Sequence, residues 1–155
     1  MKKLVFPFLV IAVIFSACKK EEETPANNTE TTYAFSCKIA GADFTADFTD
    51  NTPVATVDPS TDVFTLVASN GSDEVRIYIY NFSTRTEGDE ITLLSPGNRV
   101  YVTLGTNSWT NTISGKFIFS KTESPISGTF NAQCNNLQTF QSVTITDGEF
   151  IDVAY

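Results

Sequence analysis

Three cysteines and no histidine bound the chemistry open to this chain of 155 residues. Without imidazole there is no Ser-His-Asp or Cys-His nucleophile, and no His-ligated zinc, copper, iron or haem centre. No cofactor is expected, and the domain is read as non-catalytic. The thiols separate by context. Cys18 ends the stretch Phe15-Ser16-Ala17-Cys18 behind an apolar run, whereas Cys37 and Cys134 stand in alternating stretches, both on the side that alternation turns inward. A disulfide between those two is open in an exported protein. It would close a loop of ~100 residues, which the chain-entropy model values at about 4 to 5 kcal/mol. Two buried free thiols are the alternative, because Cys is a good small core residue and alternation does not supply the Cα separation a bridge needs.

Two further constellations carry potential chemistry. Asp47, Asp50, Asp58 and Asp62 crowd one turn-rich region, and carboxylates at that density are hard oxygen ligands for Ca2+. The spacing matches no EF-hand or repeated calcium loop, so solvated loop acids are the stronger reading and no metal site is assigned. A glycosidase pair among them is weaker still, since any acidic chain offers many such pairs. The second constellation is aromatic. Tyr78, Tyr80 and Tyr101 point away from the apolar face of their strands beside Arg76 and Arg99, and Trp109 reads as lying in a polar loop between Gly105 and Thr112. Rings with a polar tip suit sugar stacking or the wall of a ligand cup. Cross-strand tyrosines also stabilise a wet sheet face without binding anything, and alternation favours that plainer role.

The elements that position these residues begin with an address. Lys2 and Lys3 precede the apolar run 4–15, which is too short for a permanent membrane span and is interrupted by Pro7. The ending Phe15-Ser16-Ala17-Cys18 resembles a bacterial lipobox, in which the cysteine is diacylated through sulfur and becomes the first mature residue. The expected organisation is a signal peptide at 1–17, an acylated tether at 18–32 and one domain at 33–155. The tether is rich in Pro, Asn, Thr and Glu with no apolar period, so it cannot build a core. The whole chain has 10 Lys and Arg against 18 Asp and Glu; loss of Lys2 and Lys3 leaves 8 against 18, a mature net charge of −10. Such a chain repels nucleic acid and gains nothing from an anionic membrane surface, so membrane attachment falls to acyl chains on Cys18.

From residue 34 onward the pattern has period two. Phe35, Cys37 and Ile39 share a face, as do Phe44, Ala46 and Phe48 across the Ala40-Gly41 turn, which reads as a hairpin. Segment 51–59, with two prolines, reads as a connection. Segments 63–70 and 74–82 form the clearest hairpin, with Phe64, Leu66 and Ala68 matched by Val75, Ile77 and Ile79. Short strands follow at 91–94 and 99–104. In 112–121, Ile113, Gly115, Phe117 and Phe119 are expected inward, and in 126–134, Ile126, Gly128, Phe130, Ala132 and Cys134. Segment 135–140 reads as a loop or one helical turn. The end, 142–155, reads as a hairpin turning at Asp147-Gly148. About ten short strands with frequent turns and no helical period predict an all-β fold, an antiparallel sandwich or barrel.

The segments Ile126-Ser127-Gly128-Thr129-Phe130 and Val143-Thr144-Ile145-Thr146-Asp147-Gly148-Glu149-Phe150, with a terminal tyrosine and Gly41-Ala42-Asp43-Phe44-Thr45-Ala46, resemble a group of small uncharacterised Bacteroidetes lipoproteins. The acidic run Glu21-Glu22-Glu23 after Cys18 also resembles the signal that sends such lipoproteins to the outer cell surface, with two lysines preceding the acids here. The resemblance implies habitat, an outer-membrane lipoprotein facing the exterior or else the periplasm, and carries no activity or residue roles. The expected function is ligand or partner binding by a lipid-anchored β domain; the alternative is a structural or accessory part of a surface complex. Intact-mass measurement of membrane-extracted protein is expected to show loss of residues 1–17 with added acyl mass, and Cys18→Ala is expected to leave unlipidated precursor. Unchanged mass and membrane retention in that variant would exclude the anchor.

Overall fold

The computed structural model describes residues 34–47 and 52–155. The segments expected as leader and tether, with Cys18, and Phe48 and Asp50 lie outside the described residues. Thr31–Tyr155 forms one compact unit that contains the whole described core. Its eleven described strands are β1 (Phe35–Ile39), β2 (Ala42–Ala46), β3 (Val54–Asp58), β4 (Val63–Asn70), β5 (Asp73–Tyr80), β6 (Glu90–Thr92), β7 (Arg99–Leu104), β8 (Asn107–Trp109), β9 (Asn111–Lys121), β10 (Ile126–Asn135) and β11 (Ser142–Val153). Among the described residues a 3-10 turn, Phe82–Thr84, follows β5. No helix among the described residues is long and apolar enough to cross a membrane.

Of the two architectures open to the sequence, the sandwich is the one formed. One sheet has six strands in the order β2-β1-β11-β10-β9-β6 and the other five in the order β3-β4-β5-β7-β8, both antiparallel and neither closed into a barrel. Outside the start of β9 the inward residues are those that alternation selects, and the core between the sheets is built around phenylalanine. Phe64 of the five-stranded sheet meets Phe119 of the six-stranded sheet edge to face at 5.4 Å, and Phe117 stacks on Phe150 at 5.4 Å. Such pairs contribute about 0.5–1.5 kcal/mol each beyond the area they bury. Two glycines make room for rings: a Cβ on Gly148 would lie 2.6 Å from the Phe130 ring, and one on Gly128 would lie 2.6 Å from the Phe150 ring.

Three elements differ from the sequence reading. The stretch with two prolines contains a strand, β3, which lies at a sheet edge and is flanked by Pro53 and Pro59, positions where a missing N–H interrupts no ladder. Asp147-Gly148 does not turn the chain. β11 runs through it as one strand between β1 and β10, and Asp147, at φ 53°, takes up a bulge that shifts the register against both neighbours. The third difference lies in β9. Cys134 pairs with Thr112 and Gln133 with Ser114, so Ile113 is the extra residue of a bulge and is exposed, while Thr112 points inward.

Thr112 is the one buried polar residue of the described domain, and it joins the sheets. β8 pairs with β7 only over Val102 to Leu104, leaving the Val100 N–H and C=O without a strand partner on that side. The Thr112 hydroxyl supplies both bonds, accepting from Val100 N at 2.7 Å and donating to Val100 O at 2.7 Å. The Cys134 thiol also donates to Val100 O at 3.2 Å. Thr112→Val keeps shape but orphans a buried amide, so urea unfolding is expected to show a loss of about 2–4 kcal/mol with unchanged slope. Thr112→Ser retains the hydroxyl and is expected to lose about 1 kcal/mol.

Candidate functional site

The outward residues of β5 and β7 form a checkerboard. Tyr78 stands opposite Arg99 and Arg76 opposite Tyr101, so the two tyrosines touch along one diagonal, edge to face at 5.4 Å. The Arg99 guanidinium carbon sits 4.8 Å from the Tyr78 ring centre and 5.4 Å from each of the Tyr80 and Tyr101 rings. All of these side chains are half-buried. Local sequence explains the placement: strict alternation in Glu74-Val75-Arg76-Ile77-Tyr78-Ile79-Tyr80 sends every apolar residue to the core and every long polar-tipped residue to the other face. Val63, Thr65 and Val67 of β4 continue that face beside the rings.

Arg76 and Arg99 are electrostatically unlike. Arg76 pairs with Glu74 at 2.9 Å and donates to the Tyr78 hydroxyl at 3.5 Å. Arg99 has no carboxylate partner among the described residues; it donates from Nη1 to the Pro96 carbonyl at 2.6 Å. The Nε atoms of both arginines are buried and unpartnered. A cation held among three rings is stabilised by their negative faces and keeps directed N–H groups for an incoming acceptor.

Trp109 does not join this group. It occupies the end of β8 opposite the inward-facing Val102, and packs against the core from between the sheets. The polar stretch around it led to a loop assignment, but β8 is a real if short strand, and strand parity puts the indole on the opposite face from the tyrosines. Two of the acids expected in loops, Asp58 and Asp62, close those loops. Asp58 accepts from the Ser60 N–H and hydroxyl and from the Thr61 hydroxyl, which hold its carboxyl down to about 2. Asp62 accepts from the Ser83 N–H and hydroxyl.

A second feature escaped the sequence reading. The outer face of the six-stranded sheet carries an open groove of about 770 Å3 across β6, β9, β10 and β11, floored by Asn131, Gln133, Thr144 and Thr146. Each of these is an ordinary outward strand residue, and nothing in alternation marks the four as neighbours from two strands. At one end of the sandwich the turn between β10 and β11 exposes Leu137 and Phe140, which are 62% and 81% accessible. That turn is held by Asn136, whose side chain accepts from the Gln138 and Thr139 N–H groups and donates to the Ser108 carbonyl.

No family model, curated protein or solved structure matches the chain.

Cys37 and Cys134 are free and buried. β11 lies between their strands, and along it Cys134 faces Val143 while Cys37 falls between the partners of Glu149 and Thr146. Two strand spacings alone separate them by roughly 9–10 Å, beyond the reach of a disulfide. Burial pushes the Cys37 thiol up to about 12 and the Cys134 thiol up to about 11. With folded values raised, their contribution to stability is complete below the ordinary thiol value of 9.0 and is lost as pH rises toward 11 to 12. The folded domain is expected to resist alkylation at pH near 8, to show two reactive thiols in denaturant, and to lose stability through that alkaline window. A thiol count of zero under denaturing, non-reducing conditions would overturn the free-thiol assignment.

Proposed function

We propose that this protein is a lipid-anchored, non-catalytic binding module, held at the outer membrane by acyl chains on Cys18, that engages its ligand on the outer face of the five-stranded sheet. The observation that carries the reading is Arg99, ringed by Tyr78, Tyr80 and Tyr101 without a carboxylate partner among the described residues of an acidic chain. A purely structural arginine on such a chain has many acids to pair with. One left among rings suits a ligand that offers a flat ring to the tyrosines and an acceptor to the guanidinium, as an acidic saccharide does. The lipobox, the tether and the resemblance to small Bacteroidetes lipoproteins support a setting at the cell surface, where such ligands are met.

A second reading, an accessory subunit of a surface complex, draws on Leu137 and Phe140. Ala34, where the chain enters the domain, lies beside Ile151, whereas the turn bearing these two residues follows the opposite end of β10 and precedes the start of β11. Exposed apolar side chains on a hydrogen-bonded turn are the kind of anchor that fills a partner's pocket.

The two readings separate by mutation. Binding of Thr31–Tyr155 to a panel of acidic surface glycans is expected to fall at least about tenfold in Tyr78→Ala, Tyr101→Ala and Arg99→Met, with thermal stability kept to within a few degrees. Loss of stability as large as in the core variant Phe64→Ala, about 3–5 kcal/mol, would make the rings structural. The accessory reading would then lead, with Phe140→Ser expected to break the complex.

A further inference from the structure

We infer that the groove on the outer face of the six-stranded sheet is a separate binding site for a neutral, hydroxyl-rich chain, an uncharged oligosaccharide. The inference does not depend on the tyrosine face, which lies on the other sheet.

The floor is the first observation. Ser114, Gln133 and Thr144 lie in one cross-strand row and Lys116 and Asn131 in the next, with Thr146 alongside them in the groove. Apart from Lys116, these side chains make no hydrogen bond to any described residue, although polar side chains in the loops are tied up locally, as Asp58, Asp62 and Asn136 are. A strand-borne array of hydroxyls and amides is held in register by the sheet, so its donors and acceptors keep fixed spacings of about 5 Å across the strands. Each amide offers two donors and an acceptor, and each hydroxyl offers both functions. That is the complement of a sugar's hydroxyls, which also donate and accept.

The charge balance is the second observation, and it selects a neutral ligand. The charged residues lining the groove are Glu90, Lys116 and Asp147. Lys116 pairs with Glu90 at 3.0 Å, and Asp147 pairs with Lys38 at 3.4 Å. The groove therefore presents no unpaired charge, in contrast to the chain's net excess of acids.

The third observation is an apolar shelf. Ile113 is turned outward by the β9 bulge, and Leu94 is 52% exposed beside it, both lining the groove. An amphipathic sugar ring can lay its C–H face there while its hydroxyls reach the amides. The groove spans four strands, roughly 14 Å. It continues toward Thr129 and Glu149 through a second depression of about 470 Å3 that shares Lys116, Asn131 and Asp147, where the Glu149 carboxylate, without an ion-pair partner among the described residues, further disfavours an acidic chain. That extent fits several linked rings better than one.

The test uses Thr31–Tyr155 with cellohexaose, xylohexaose and mannohexaose as neutral probes and an oligogalacturonate of similar length as the charged comparator. NMR titration is expected to shift the side-chain amides of Asn131 and Gln133 with at least one neutral probe, with an affinity that is the same at low and physiological salt. The double variant Asn131→Ala with Gln133→Ala is expected to weaken that binding about tenfold or more. Both residues lie on the outer sheet face without internal hydrogen bonds, so the melting temperature should hold. Tyr78→Ala should leave the neutral titration unchanged. The inference is overturned if no neutral hexaose moves these amides at millimolar concentration, if the double variant binds as well as the parent, or if only the charged comparator binds and salt abolishes it.

Discussion

A single hydroxyl at the seam of the two sheets does work that a strand would otherwise do. The chain leaves the five-stranded sheet after only three residues of β8, crosses over, and begins β9 in the other sheet. That crossing strips Val100, which is fully buried, of its ladder partner on that side. An amide orphaned there would cost about 1–3 kcal/mol for each unsatisfied group. Thr112, buried at the start of β9, answers both groups at once, and the bulge that turns it inward is the same bulge that turns Ile113 out. The hydrogen bonds that join the sheets at this seam and the exposed shelf of the groove are thus consequences of one bulge.

With the sheets joined, the sandwich presents two faces of different character. The five-stranded face carries rings and guanidinium groups whose electrostatics are short-ranged and directional. The six-stranded face carries neutral hydroxyls and amides, with its charges paired off. Neither face is built from special loops, although the six-stranded face carries two bulges, at Ile113 and at Asp147. Both follow from which residue types were placed at outward positions, so the surface can vary while the phenylalanine core stays constant.

Most of the fold was legible because period two is a strong signal when the apolar residues are mostly Phe, Ile, Val or Leu. The inward assignment of Phe44, Phe64, Phe117 and Phe130 follows from it, and all four are buried. Legibility failed where one extra residue resets parity. Asp147-Gly148 has the composition of a hairpin turn, yet neighbours on both sides supply hydrogen bonds that keep β11 extended, and the pair is absorbed as a bulge. The β9 bulge likewise moved Ile113 from core to surface and Thr112 from surface to core. Trp109 was misplaced for a related reason, since a three-residue strand is too short to show alternation.

From sequence alone come the all-β class, the hydrophobic face of nearly every strand, the absence of imidazole chemistry, and the outward placement of Tyr78, Tyr80, Tyr101, Arg76 and Arg99. These are local properties, decided within a few residues by side-chain parity or by composition. Tertiary structure alone decided that the sheets stay open, that Cys37 and Cys134 are kept apart by β11, that Arg99 is surrounded by three rings, and that Asn131, Gln133, Thr144 and Thr146 form one floor. Each of these depends on which strands lie side by side and in what register, a long-range pairing that a single strand's alternation does not encode.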